Sequence, residues 1–240
     1  MLTLILAESA LEAVPRALWR HPAVERHSKR RGKPPKYLVL DRSYHNAAMK
    51  VLRDSEKRGR PDIVHLSLLE ALGSPLNREG LFRVYVHTYS DCSISVSPET
   101  RLPRNYSRFI GLVEQLFEFG RVPVGGTPLL VLEERAISDL VGSIRPTYVI
   151  AFSRTGKPST LEDAISRLRN QENLVAIIGG FPAGHFKDAT TDLADEIVCI
   201  DREMLEAWTV VSRLVYEYER AVSLPEKRIA KMLRGDLRVC

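Results

Sequence analysis

The stretch GRPDIVH places Arg60 two residues ahead of Asp62, with Pro61 between them. Proline fixes φ and stiffens the turn, so a carboxylate at this distance can hold a guanidinium in one orientation. Asp62 reads equally as an ordinary N-cap with a surface ion pair at a helix start. A second set of cations, Arg101, Arg104 and Arg108, stands in RLPRNYSRF with no acid between them. The spacing predicts Arg104 and Arg108 on one helix face, with Arg101 just before the helix. Guanidinium groups in such a row suit a phosphodiester backbone; a solvated helix face is the competing reading. Tyr106 and Phe109 could stack on bases, although Phe109 looks more like core.

NLVAIIGGFPAGHF runs an apolar strand into Gly179 and Gly180 and then Gly184. Glycines at a strand's C-terminal end let backbone approach a ligand closely, and ligands of parallel α/β sheets sit at these ends. No G-x-G occurs, which excludes a Rossmann dinucleotide loop, and His185 stands where a P-loop would carry lysine. A plain glycine-rich turn remains open. EIVCI leads similarly into Asp201, Arg202, Glu203, Met204 and Leu205. Two neighbouring strand ends of this kind can form one pocket, and Asp201 is expected to cap the final helix.

Other chemistries have little support. There is no GxSxG, no paired-carboxylate motif and no HExxH among the six histidines, so hydrolysis and metal catalysis have no visible residues and no metal is expected. Cys92, Cys199 and Cys240 are odd in number with no CxxC, against a disulfide framework or zinc ribbon. Hydrophobic residues make up 44% of the 240 and charged residues 27%, which excludes collagen, a coiled-coil rod and a wholly disordered chain. No apolar run approaches the roughly 20 residues of a bilayer span. MLTLILAES lacks a basic n-region and reads as a first strand, so the expected location is cytoplasmic, away from membranes. The net charge is +5, and the excess is local: Arg16 to Lys36 holds eight Lys/Arg against one acid, Glu25. That is the footprint expected for phosphates, or else a solvated loop.

The elements that must position these residues follow from periodicity. Strands are expected at 2–7, 37–41, 81–88, 93–97, 128–132, 147–152, 173–180 and 196–200. Helices are expected over 11–19, from a cap at Asp41 or Ser43 through Leu52, over 63–72, from Asn105 to Gly120, over 161–169 and over 204–221. HSKRRGKPPK reads as a basic loop, GSPLN as a turn, and the stretch from Pro225 as a basic exposed tail. Short apolar strands alternating with helices in the second half predict an α/β fold with a largely parallel sheet. The simplest organisation is one domain over 1–240, with a hairpin-plus-helix element inserted around 75–120.

DRSYHNAAM, GRPDIVHLSLLEALGSPLNREGLFRVYVHT, RLPRNYSRFIGLVEQL, IIGGFPAGHF and DREMLEAWTVVSRL together resemble the ribosome-biogenesis methyltransferases that act at pseudouridine N1 in small-subunit rRNA. The resemblance spans nearly the whole chain, with RPDIVH…SPLN…VYVHT its most specific part and 16–36 its weakest; the GG-then-FPAG form is similar to the archaeal branch. It implies a SPOUT-type α/β trefoil knot around 145–221, a homodimer, and S-adenosylmethionine as cofactor. The cofactor would lie against Gly179, Gly180, Gly184 and the loop of Ile200, Asp201, Arg202, Glu203, Met204, Leu205 and Ala207. Arg60 would contact the target RNA with Asp62 stabilising it, and Arg101, Arg104 and Arg108 would bind rRNA. Arg60 and Asp62 are then the catalytic candidates, and small-subunit rRNA and other ribosome-assembly proteins the partners. Two alternatives stand beside this: a non-catalytic rRNA-binding assembly factor with a vestigial pocket, and a SPOUT enzyme for ribose or another base.

Overall fold

The computed structural model describes residues 1–234. The chain opens with β1 (Leu2–Ser9), buried throughout. Helices α1 (Pro22–Arg31) and α2 (Arg42–Met49) follow, then α3 (Pro61–Gly73) and the single turn α4 (Pro75–Arg78). Strands β2 (Phe82–Thr88) and β3 (Cys92–Val96) form a hairpin ahead of α5 (Tyr106–Phe119). Next come β4 (Arg121–Val122), β5 (Leu130–Glu134) and α6 (Ile137–Ile144). The second half runs β6 (Tyr148–Pro158), α7 (Leu161–Leu168), β7 (Leu174–Gly179), α8 (Asp188–Thr191), β8 (Glu196–Cys199), α9 (Ala207–Ala221) and α10 (Leu224–Leu233).

The strands make one sheet in the order β4-β5-β3-β2-β1-β7-β6-β8. From β2 to β8 every pairing is parallel; β3, β5 and β4 add antiparallel strands at the other end. Central strands covered on both faces read as near-continuous apolar runs, which is why β7 and, apart from Thr3 and its polar end at Glu8 and Ser9, β1 show no polar alternation. On β1, Leu4 and Leu6 join the core beneath α3, α5 and α9, whereas Ile5 and Ala7 join Val149, Ile177 and Leu140 beneath α6. The hairpin expected as an insertion is built into the sheet, because β2 lies directly against β1.

Four expectations in the first half fail for local reasons. The segment expected as a helix over 11–19 is largely extended, bridging Ala13 to Val39, with one 3-10 turn at Arg16–Leu18. Pro15 cannot donate inside a helix and clashes with the preceding turn. YLVLD contributes only that bridge, not a strand. Much of the expected basic loop is helix: α1 starts with Pro22 in its first turn, His21 accepts from the Ala23 amide, and Gly32 closes it at φ 64°. GSPLN is the helical turn α4, capped by Ser74. Further on, α6 was not foreseen, and the final long helix begins at Ala207 rather than Met204. The stretch from Pro225 is helical through Leu233 and mostly exposed, and Cys240 lies outside the described residues.

Strand β6 carries the feature that shapes the site. Tyr148–Phe152 pair with β7; the register against β8 then shifts, and Lys157 and Pro158 return to Val198 and Cys199. At this return Gly156 lies so close to β8 that a Cβ would sit 2.5 Å from the Ile197 carbonyl oxygen. Only glycine allows two backbones to meet at that separation.

Candidate functional site

At the C-terminal ends of β6, β7 and β8 lie two adjoining clefts of about 110 and 100 Å³. Phe152, Ser153, Arg154, Met204, Leu205 and Val210 line both. Ile178, Gly179 and the 181–186 loop close one side; Ile200, Asp201 and Glu203 close the other. Ala207 and Gly184 also face the first cleft. Eight of the ten sequence-selected cofactor residues are therefore brought together. Gly180 and Arg202 are not among the lining residues. Gly180 is pressed on the end of β1, where a Cβ would collide with the Ser9 hydroxyl, and Arg202 is exposed.

Two local expectations need correcting. Asp201 does not cap the final helix: Glu206 stands at that N-cap, and the Asp201 carboxylate accepts from the Glu203 amide at 3.0 Å, tightening the cleft loop instead. Gly184 is set by its φ of +96°, with the Lys57 side chain, not the open cleft, where its Cβ would fall.

The cleft loop is tied to β1 by a buried ion pair that sequence reading missed. Glu8, itself at φ 50°, accepts from the Lys187 amide at 2.7 Å, Thr190 Oγ1 at 2.8 Å and Lys57 Nζ at 3.0 Å. Lys57 also donates to the His185 carbonyl and lies 4.5 Å from the Phe181 ring centroid. The next residue, Arg58, forms a buried two-pronged pair with Glu12, both contacts 2.7 Å. A single turn thus delivers Lys57 to the cleft loop and to Glu8 of β1, Arg58 to Glu12 just beyond β1, and Arg60 to the surface.

Arg60 stands at the N-cap of α3 and Asp62 in its first turn. Asp62 accepts from Arg60 Nε at 2.8 Å and from Nη2 at 2.7 Å, so both oxygens serve the guanidinium and Asp62 is not the N-cap. This hydrogen bonding, with the nearby Asp62 and Glu206 charges, raises the Arg60 pKa above its usual value. Glu206, whose charge acts on the guanidinium, stands in sequence between Leu205 and Ala207, which line the cleft.

Arg101 and Arg104 line a broad groove of about 1280 Å³ between the α3–α4 turn and the 97–104 loop, together with Arg78, which sequence reading did not select. Helix α5 starts at Tyr106 with Asn105 as its cap, so Arg104 precedes the helix and does not share a helix face with Arg108. Phe109 is core, stacked on His65 at 4.2 Å. Tyr106 is engaged rather than free to stack: its hydroxyl donates to Asp41 at 2.6 Å, and burial with that bond raises its pKa strongly. Among the described residues, no cluster of three His, Cys, Asp or Glu side chains could hold a metal ion, and no helix is long and apolar enough to cross a membrane.

Parallel strands ending at an apolar, loop-walled cleft, with β6 returning tightly across β8, define a methyltransferase fold of the SPOUT class. The solved structure of Archaeoglobus fulgidus Nep1 bound to S-adenosylhomocysteine shares this architecture, with a TM-score of 0.82 at 39% identity over 92% of this chain and 98% of that one. The chain belongs to the EMG1/NEP1 methyltransferase family, whose model matches residues 4–219. It is 44% identical over 224 residues to the ribosomal RNA small subunit methyltransferase Nep1 of Staphylothermus marinus, covering 93% of this chain and 97% of the relative. The Nep1 protein of Thermococcus kodakarensis is 45% identical over 224 residues, 93% of this chain and 100% of the relative.

Proposed function

We propose that this chain is an S-adenosylmethionine-dependent methyltransferase acting at N1 of a pseudouridine in small-subunit rRNA during ribosome biogenesis. The observation that supports it best is the Arg60–Asp62 fork, a guanidinium fixed by two hydrogen bonds and acted on by the charge of Glu206 from the loop that borders the cleft. The residues of the cleft suit the cofactor. Phe152, Ile178, Leu205 and Val210 offer apolar walls for an adenine ring, and the flanking loops offer main-chain groups for its polar edge. When bound, S-adenosylmethionine supplies a methyl group carried on a sulfonium. This chain's residues supply orientation and charge. Arg60 would face the target ring, where its positive charge favours loss of the N1 proton. Asp62 acts by positioning, because both its oxygens accept from Arg60. Arg101, Arg104 and Arg108 carry the RNA backbone.

The proposed working state is a cytoplasmic homodimer with α9 near the interface. Of the apolar residues of α9, Val211 and Val215 are internal, joining the main core. The outer surface of α9 offers Tyr216, 56% exposed, which lines a cleft of about 360 Å³ together with Leu69 and Glu70 of α3. Sedimentation at micromolar concentration should show a dimer. For the chemistry, labelled methyl transfer is measured on hairpins that differ only in uridine or pseudouridine at the target. In uridine N1 is bonded to the sugar, so transfer should occur only to pseudouridine; equal transfer would move the reading to ribose or another base.

A further inference from the structure

We propose that the outer stripe of α1, built from Arg26, Lys29 and Arg30, is a second RNA-backbone site that grips the substrate beyond the target nucleotide. The inference rests on the reading of RNA as substrate given above. Helix α1 buries Val24 and His27 and turns Arg31 inward to Glu114 of α5, at 2.6 Å. Those positions repeat at helical spacing and define its inner face. Arg26, Lys29 and Arg30 are spaced three and four apart on the opposite side, and all three are exposed. Among the described residues none of them has a carboxylate within ion-pair distance, whereas neighbouring Arg31 and Lys33 are both paired to α5.

Helix stability does not account for the stripe. Cations near a helix C-terminus favour the backbone dipole within the last turn, which covers Lys29 and Arg30 but not Arg26. The same outer side carries one acid, exposed Glu25, which makes no ion pair with the three cations, so the stripe stays net positive and a polyanion relieves its repulsion. The outer stripe carries no large apolar residue, which argues against insertion into a lipid surface.

The stripe is also fixed relative to the proposed RNA face. His27 Nδ1 meets His45 Nε2 of α2 at 2.9 Å, and Asp41 at the cap of α2 accepts from Tyr106 of α5. Arg31 reaches the same helix further along, beside Gly111 and Glu114. In the sequence of α5 Arg108 falls between these two anchoring points, so the helix that carries Arg108 is tied directly to α1. Arg30 lies 4.8 Å from the exposed Tyr44 ring, an arrangement that pre-places one guanidinium of the stripe.

The test is the full-length triple variant Arg26→Ala, Lys29→Ala, Arg30→Ala, checked for unchanged folding by circular dichroism. Binding is measured against a minimal target hairpin and against the same hairpin extended by flanking rRNA helix. The extended RNA should bind at least about tenfold more weakly, with the log–log salt slope reduced by about 2–3, as expected for that many lost phosphate contacts. The minimal hairpin should bind as it does to the unaltered protein, and kcat at saturating RNA should be unchanged. Unaltered affinity and slope for the extended RNA overturn the α1 site. Arg104→Ala and Arg108→Ala are run alongside. If they lose affinity while the triple variant does not, the failure is confined to α1. If only the triple variant loses affinity, α1 stands and the face of Arg104 and Arg108 falls.

Discussion

Lys57 and Glu8, 49 residues apart in sequence, meet at 3.0 Å with side chains 9% and 2% exposed, and between them they hold the loop that walls the cleft at the ends of β6 and β7. Lys57 binds the His185 carbonyl, and Glu8 binds the Lys187 amide and the Thr190 hydroxyl. The pair joins three separate stretches of chain: the end of β1, the turn leading to Arg60, and the loop after β7.

Removing one partner leaves a buried charge uncompensated, which typically costs about 3–5 kcal/mol. Lys57→Met should therefore lower stability by that order and weaken S-adenosylhomocysteine binding at a temperature where the variant is still folded. Adding Glu8→Gln should recover part of the stability, because the carboxylate charge goes with its partner. Denaturant melts and calorimetry read both quantities. Unchanged cofactor affinity in folded Lys57→Met would separate the pair from the cleft.

Gly156 and Gly184 should respond differently to alanine. At Gly156 the new Cβ would meet backbone atoms of Ile197 and Val198 at 2.5–2.7 Å, and neither backbone can yield without parting β6 from β8. At Gly184 the nearest atom is Lys57 Cε at 2.9 Å, on a flexible side chain, and the main cost is the φ of +96°. Gly184→Ala should cost on the order of 1–3 kcal/mol. Gly156→Ala should cost more and abolish cofactor binding, measured by thermal melts with and without S-adenosylhomocysteine. Equal, small losses at both positions would refute the tight crossing.

His27 and His45 make the fold acid-sensitive in a defined window. Burial is the largest cause lowering each pKa from 6.5 to about 4; Arg30 and Arg31 add to it at His27, and His27 adds to it at His45. The Asp41 amide donates to His45 Nδ1, so neutral His45 carries its proton on Nε2 and donates it to His27. A histidine held neutral in the folded state contributes stability that is fully present above pH 6.5 and is lost as pH falls towards 4. Between pH 7.5 and 5, one such histidine corresponds to about 2 kcal/mol, from about 1.36 kcal/mol per pKa unit. Denaturation free energies over that range should fall, and His27→Gln should flatten the slope. A pH-independent stability above pH 5 would contradict the neutral pair.

The histidine pair also shows where sequence reading stops. The parallel strands were legible because burial on both faces leaves continuous apolar runs such as LVAII, and the starts of α2 near Asp41 and α5 near Asn105 were legible because capping side chains serve their own helices. Helix α1 was not, because a helix that buries only Val24 and His27 shows almost no apolar periodicity among its charges. The pairing of Arg60 with Asp62 could be proposed since both belong to one turn. Glu8 with Lys57 and Arg58 with Glu12 could not, because each joins residues more than 40 positions apart and no local signal links them.

The Arg60–Asp62 fork gives the most direct test of the chemistry. If the guanidinium stabilises the deprotonated target ring, Arg60→Ala removes an interaction that strengthens as charge develops. The rate should then fall by about 10²–10³, the range found when one donor to a developing anion is lost. RNA affinity should fall far less, since Arg101, Arg104 and Arg108 remain. A cation lowers the pKa of a neighbouring acid, so its removal raises the pKa at which N1 loses its proton. The pH–rate profile of Arg60→Ala should therefore shift to higher pH, with partial rescue of rate on the alkaline side. Arg60→Lys keeps the charge but loses the two-pronged geometry, and should fall between Arg60→Ala and the unaltered protein. Asp62→Ala should show a milder rate defect. The pair is 37% and 35% exposed, so the stability change should stay within about 1 kcal/mol. Single-turnover methyl transfer across pH 6 to 10, with RNA binding measured in parallel, reads all of these. An Arg60→Ala variant whose loss lies wholly in RNA affinity, with an unshifted pH profile, would reduce Arg60 to another backbone contact.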